Sequence, residues 1–469
     1  MGGCTGSPGR ILPGMIFNGA AAVNLNRRAV LATSTGLAFA FGTLLPTAEQ
    51  AVPGPAPAGG EAIGLHPDTE HVQTALLQAA IDAAQANSRP VFLPPGRFLV
   101  PGLKLRRGTR LIGAYGATTL AGLGEEPVIS AHDASDILID GISFDGLERA
   151  ATIIALVNCH RFRLSRAEAR NAAGLGVRLE GCSGSIHDCQ LTHCGDAGIL
   201  ALDSTGLEIA RNTVSFCGNN GIQVWRSQCG VDGSMVTGNR ISNIAAQDGG
   251  DGPNGNGINV FRAGNVMIAN NMISDCAFSA VRGNAASNIQ IIANSCLRLG
   301  EVALYAEFGF EGAVIAQNIV DTSASGIAVT NFNEGGRLAA VQGNLIRNLF
   351  RREHEPVDKR GEGITIEADA AVSGNTIEQA PTAGISIGWG PYMRDVSVTG
   401  NVIRKARVGI TISSDQAAGP CLIANNVISG SEDGAIRAMD HGRAHGPDLA
   451  LAHSATKPGW ISITGNLAT

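Results

Sequence analysis

The chain has 469 residues, a net charge of −6 and 62 glycines, with few aromatic (4%) or charged (16%) side chains. Its mild acidity is spread along the whole length and leaves no basic face, which argues against a nucleic-acid partner. A glycine-rich, aliphatic, aromatic-poor composition suits many short strands joined by turns.

In chain order the first element is residues 1–60. Here "NLNRRAVLATSTGLAFAFGTLL" sets Arg27 and Arg28 before a moderately apolar stretch, and Pro-rich "PTAEQAVPGPAPAGG" follows. A cationic start with a short apolar run predicts a signal peptide rather than a membrane span. The stretch resembles a twin-arginine (Tat) signal, with Asn26 and Val30 where Ser/Thr and Phe are commoner. That resemblance implies the Tat export machinery as a partner and a periplasmic or secreted bacterial location. Residues 1–14 do not read as a signal start, and Met15 is the expected initiator. No other segment is long and apolar enough to span a bilayer, so one soluble domain is expected over 61–469.

Next, "HPDTEHVQTALLQAAIDAAQA" carries Val72, Leu76, Ala79, Ala80 and Ala83 at helical spacing. A helix over about 68–86 with Asp68 as N-cap is expected, placed as a lid on the open end of the repeats beyond it. "RPVFLPPGRFLVPGLKLRRGTRLIGA" continues as short strands with Pro-Gly turns.

From there the chain repeats itself. A strand, Gly/Ala-Asn-x-Ile/Val, a loop and Gly-Ile-x-Val/Ile recur through "SMVTGNRI", "VMIANNMI", "AAVSGNTI" and "VSVTGNVI". The asparagines are Asn212, Asn239, Asn271, Asn294, Asn318, Asn344, Asn375, Asn401 and Asn426, with a late copy at Asn466. Weaker earlier copies put Asp140, Arg166 and Asp188 in the same column. A period near 25 with short strands predicts a solenoid whose coils bury one aliphatic interior. The Asn is expected to take the left-handed turn and to bond its equivalent one coil away. The L-x-x-L-x-L pattern of leucine-rich repeats is absent.

The helix, "VFLPPGRFLV…LKLRRGTRLIGA" and the Asn-x-Ile coils together resemble the pectate-lyase superfamily. With the Tat-like signal, the repeat is similar to the Tat-translocated repetitive proteins. The resemblance implies an all-β chain: a right-handed parallel β-helix, a three-sheet solenoid of about 12 coils with an N-terminal capping helix. It also implies substrate lying outside the strand that follows the longest loop, here Gly-Ile-x-Val/Ile.

Outward positions of that strand supply the candidate site. Trp225, Phe261, Asn284, Tyr305, Thr330 and Glu367 are read as one stacked column. Arg226, Arg262, Glu307, Asn331, Asn333, Asp369 and Trp389 lie just beyond it, and Arg282 one step earlier. Two long loops, "IAAQDGGDGPNGNG" and "NLFRREHEPVDKRGEG", are expected to wall a cleft about 19 Å long. Rings stack on sugar faces, while Arg and amide groups bond hydroxyls and carboxylates. Glu307 and Asp369, about 10 Å apart across two coils, would suit inverting hydrolysis. Glu367 and Asp369 would share a proton or cation. For a lyase or epimerase, Arg262 or Arg282 would neutralise a sugar carboxylate and Tyr305 would move the proton. The Asn-Thr-Asp, Gly-His-Gly and Arg-Ile-Lys strands of polygalacturonases are absent, as is the pectate-lyase calcium and arginine pattern.

Three lesser signals remain. "DGGDGPNGNG" has the oxygen ligands to hold Ca²⁺ but not an EF-hand spacing; it reads first as a plain loop, and no cofactor is assigned. His441, His445 and His453 are irregularly spaced for a metal site. Ten cysteines show no zinc spacing; Cys194 and Cys217 match in neighbouring coils and read as stacked thiols or, in an oxidising compartment, a disulfide. The leading reading is an exported protein that binds, cleaves or epimerises an acidic polysaccharide. The alternative is a non-catalytic cell-envelope binding or scaffold protein.

Overall fold

The computed structural model describes residues 64–250, 252–352, 361–451 and 458–469. The expected signal peptide, its arginines, the linker and His453 lie outside these residues. Each coil lays down short strands that pair in parallel with their equivalents one coil on. The result is an all-β parallel β-helix of about 13 turns. The first sheet runs through 15 strands, from Val91–Phe92 to Ile461–Thr464. The second and third sheets start at Gly96–Leu99 and Leu103–Leu105. They merge where the long strands Ser295–Glu307 and Ile319–Val329 run through the corner between them.

Alternate strand residues face opposite sides, so one file of aliphatics stacks through the interior. In the third sheet that file includes Ile199, Ile222, Ile258, Val281, Leu304, Ile327, Ile364, Ile385 and Ile410, all buried. Burying each contributes roughly 1.5–3 kcal/mol. No single coil could do this alone.

The asparagine column forms a ladder. From Asn212 to Asn466 each Nδ2 donates to Oδ1 of the next Asn at 2.9–3.0 Å. The same oxygen accepts the preceding Asn backbone N–H. A further Nδ2 contact reaches an Ile or Val carbonyl of the previous coil. Buried amides are thereby satisfied without water.

Two expectations need correcting here. The left-handed residue is not the Asn but the one before it: Arg211, Gly238, Asn270, Ala293, Gln317, Gly343, Gly374, Gly400 and Asn425 have φ of 56–67°. Upstream, the column holds Cys189, Ala167 and Ile142 rather than Asp188, Arg166 and Asp140. Cys189 N donates to Asn212 Oδ1 at 3.0 Å, which starts the ladder. Asp188 and Arg166 occupy the left-handed corner instead, where Arg211 clasps Asp188 and Arg166 clasps Asp140 across adjacent coils.

Helix α1 (Thr74–Ala86) lids the N-terminal end. Its buried face is Leu77 and Ile81, with Ala84 packed beside them; the expected Val72 and Leu76 are exposed. Asp68 is no cap: its φ is 57° and its carboxylate accepts the Arg97 N–H. Gln78 presents its amide to the open strand edge, donating to Lys104 O and accepting from Lys104 N, both at 2.9 Å. It thus stands in for a neighbouring strand. At the other end of the third sheet, Ile436–Asp440 pairs antiparallel with Arg443–Asp448.

Cys159, Cys182, Cys189, Cys194, Cys217, Cys276, Cys296 and Cys421 are free thiols, and all are buried. Cys194 and Cys217 are stacked thiols and not a disulfide, and the contact with Cys217 together with burial pushes the Cys194 thiol well up.

Candidate cleft on the third sheet

The register of the third sheet assigns the outward files. One runs Gln223, Asn259, Arg282, Tyr305, Ala328, Thr365, Ser386, Thr411. The next, two residues on, runs Trp225, Phe261, Asn284, Glu307; parallel pairing carries it on to Thr330 and Glu367. Tyr305 therefore belongs to the first file, and Glu307 takes its expected place in the second. Two files and their loops enclose a cleft of about 420 Å³. Tyr305, Asn331, Asn333, Glu367 and Trp389 line it, as do Glu362, Thr365, Ser386 and Tyr392. The first five are among the expected residues. Reading all outward files rather than one would have found Thr365 and Ser386. Glu362 opens its strand just ahead of the Gly-Ile pair, and Tyr392 comes from the tight Trp389–Tyr392 turn.

Glu367 is a perturbed carboxyl on the cleft wall. It is 8% exposed, and its carboxylate accepts the Phe332 N–H at 2.7 Å. Burial pushes its carboxyl up to about 7, against the backbone donors that pull it down. Such a group exchanges a proton near neutrality. Glu362, also buried, accepts from Ser325 Oγ at 3.2 Å.

Asp369 does not join it. It lies in the first sheet, on Ala368–Ser373, held by Arg394 at 2.8 and 2.6 Å and by Arg337 at 3.0 Å. Those arginines hold its carboxyl below the usual range. The expected Glu367–Asp369 and Glu307–Asp369 pairs are therefore absent. Asp369 instead acts on the cleft from behind. Arg394, fixed by it, covers the Phe332 ring at 4.6 Å, and Phe332 N–H holds Glu367. The turn Phe332–Glu334 also carries Asn333 on the cleft wall, beside Asn331.

Nor do Glu307 and Arg282 line the cleft. Arg282 Nε and Nη2 reach Glu307 at 2.6 and 3.0 Å, and Nη1 reaches Glu301 at 3.3 Å. Both Arg282 and Glu307 are buried. Asn284 Nδ2 donates to Glu307 at 3.1 Å. The cluster supports the cleft from beneath, with Arg282 lying 4.9 Å from the Tyr305 ring centre.

Trp225, Arg226, Phe261 and Arg262 form a separate group upstream. Trp225 meets Phe261 edge to face at 6.2 Å and donates to Asn259 at 3.0 Å. Arg262 covers Phe261 and donates to Ser227 O; Arg226 donates to Ser204 O. The first long loop explains the separation. It folds onto the sheet, where Asn220 donates to Pro253 O at 2.9 Å and Asn219 binds Asp248 at 2.8 Å. The upstream files are covered there, so the two long loops do not wall one continuous cleft. Of the second loop, residues 353–360 lie outside the described residues.

Asp248, in the loop weighed for Ca²⁺, is engaged by Asn219, and Asp251 lies outside the described residues. His441 pairs with Asp440 at 2.6 Å and packs against Trp389, while His445 contacts Ser414 at 2.9 Å. Among the described residues no group of three or more His, Cys, Asp or Glu could hold a metal ion. No helix among them is long and apolar enough to cross a membrane.

Residues 175–346 and 227–403 match the family model described as the right handed beta helix region. Fold and sequence thus define a right-handed parallel β-helix protein. No curated protein matches the sequence. Among solved structures, the N-terminal fragment of gene product 12 of bacteriophage phi29 aligns over 85% of this chain and 69% of that one, with 14% identity and a TM-score of 0.53. The pre-mature form of the same phage product aligns over 87% and 61%, with 15% identity and a TM-score of 0.53. PfbA, a surface adhesin of Streptococcus pneumoniae, aligns over 87% and 98%, with 15% identity and a TM-score of 0.43. At these identities the likeness concerns the fold alone.

Proposed function

We propose that this protein binds a polysaccharide in the cleft between Tyr305 and Tyr392. The observation that carries the reading is the meeting of Tyr305, Trp389 and Tyr392 with Asn331, Asn333, Thr365 and Ser386 in one cavity. Rings offer flat apolar faces to a sugar, while amides and hydroxyls pair with its hydroxyl groups. Repeated coils give a long, regular floor, which suits an extended polymer better than a compact ligand. Export, supported by the Arg27–Arg28 signal, would bring the protein to such polymers.

Glu367 supplies the chemistry in this reading. Its proton is available near neutrality, and it acts as acid or base on the bound glycan, with Tyr305 as the second proton-handling group. The test uses a panel of neutral and uronate polysaccharides, with reducing ends and unsaturated-product absorbance followed. Turnover that is lost in Glu367→Gln while binding persists supports an enzyme. Binding with no turnover of any member supports the envelope-binding alternative. No binding by any member contradicts both.

A further inference from the structure

The cleft does not end at Ser386. A second cavity of about 640 Å³ shares Glu362 and Ser386 with it and runs on toward the C-terminal hairpin. Its floor continues the first outward file from Ser386 to Thr411 and Arg437, with Ala383 and Val408 beside it. The two cavities are successive parts of one groove. Their chemistry differs: the Tyr305 part has aromatic rings, Glu362 and Glu367 and no arginine, whereas the second part adds Arg407, Arg437 and Arg443 to the shared Glu362 and to Asp433.

Elsewhere along the solenoid a recurring rule pairs an arginine with an aspartate on an adjacent coil, as in Arg211–Asp188, Arg298–Asp275 and Arg347–Asp321. In this cavity Arg407 follows that rule with Asp433 at 2.5 Å. Arg437 does not. Among the described residues it forms no ion pair; its Nη1 donates to the Asp433 carbonyl, and its Nε is buried without a hydrogen-bond partner. A buried, unpaired guanidinium donor on a cavity wall is costly unless a ligand completes it. A planar fork of N–H groups is also the donor best matched to an oxyanion.

We propose that the groove carries an anion subsite at Arg437 and Arg443, which takes a carboxylate, sulfate or phosphate on the polysaccharide. This rests on the reading of the cleft as a glycan site and adds the charge of the ligand to it. The subsite lies five coil steps beyond Tyr305, along the file Tyr305, Ala328, Thr365, Ser386, Thr411, Arg437. The anionic group therefore sits away from Glu367 rather than on the reacting sugar beside it.

Two matched pairs of ligands test this: polygalacturonate against its methyl-esterified form, and dextran sulfate against dextran. Binding is measured for the full chain, for Arg437→Gln, for Arg443→Gln and for Arg178→Gln as a surface control. The expected result is that at least one charged member binds roughly tenfold or more tightly than its neutral twin. That preference should weaken with salt and be lost in Arg437→Gln, but not in Arg178→Gln. Which pair shows it distinguishes carboxylate from sulfate. Because the protein is itself acidic, with a net charge of −6, general attraction does not predict such a preference. Equal binding of charged and neutral twins overturns the subsite and leaves the cleft reading standing. A preference that survives Arg437→Gln and Arg443→Gln together also overturns it. Loss of all binding in Trp389→Ala, with the charge preference of the full chain intact, separates the cleft from the subsite.

Discussion

Arg282 and Glu307 lie one coil apart with Nε 2.6 Å from Oε1 and Nη2 3.0 Å from Oε2, and Glu301 adds a second carboxylate at 3.3 Å. One guanidinium thus compensates two buried acids. Arg282→Gln should cost about 3–5 kcal/mol, because it removes the cation that faces the buried Glu307 carboxylate. Denaturant unfolding measures this. Glycan binding by the folded fraction should persist. Full stability with lost binding would instead make Arg282 a ligand contact.

Glu367 predicts a pH dependence. Its folded pKa of about 7 lies above the ordinary 4.5. Between those values the folded chain holds a proton that the unfolded chain releases, so stability falls as pH rises. The loss is absent below 4.5, complete above 7 and worth about 3 kcal/mol. Glu367→Gln should remove that slope and be the more stable protein at about pH 8. A variant with the wild-type pH profile would contradict the assignment.

Much of the fold is legible in the sequence because a solenoid repeats itself. The Asn column marks the ladder, and the alternating Ile and Val residues mark the interior. Sequence and structure part where the repeat carries local exceptions. The left-handed corner accepts Asp, Arg, Gln and Ala as well as Gly, so Asp188 and Arg166 imitate the Asn that should follow them. Tyr305 sits one alternation away from its expected file. In "EVALYAE" both Val302 and Leu304 are apolar, and the pairing makes Leu304, not Val302, the partner of Val281. Burial is the least legible property. Arg282 and Glu307 occupy outward files, and only the folded first loop and their mutual pairing show that they are not exposed.

The ladder itself can be weighed. Asn318→Ala leaves the Asn294 N–H and Nδ2 without their shared acceptor and the Ile291 carbonyl without its donor. A loss of about 1–3 kcal/mol is expected in urea unfolding. A change near zero would mean that the ladder is incidental to stability.

The corner residue before each ladder Asn bears strain when it is not glycine. Ala293 has φ of 57°, a conformation that costs an L-residue about 1–2 kcal/mol. Ala293→Gly relieves it but loosens the unfolded chain, so a net gain of up to about 1 kcal/mol is expected. Thermal unfolding shows whether the midpoint rises; a clear fall would argue that the corner is unstrained.

The central claim is that the ligand lies between Tyr305 and Tyr392 rather than over the upstream aromatics. The most direct measurement is calorimetric titration of Trp389→Ala and Trp225→Ala with a polysaccharide that the native protein binds. Trp389→Ala should weaken binding at least about tenfold, or ~1.4 kcal/mol, and Trp225→Ala should leave it unchanged. Loss of binding in Trp225→Ala with native affinity in Trp389→Ala would place the site on the Trp225–Phe261 cluster and contradict the account.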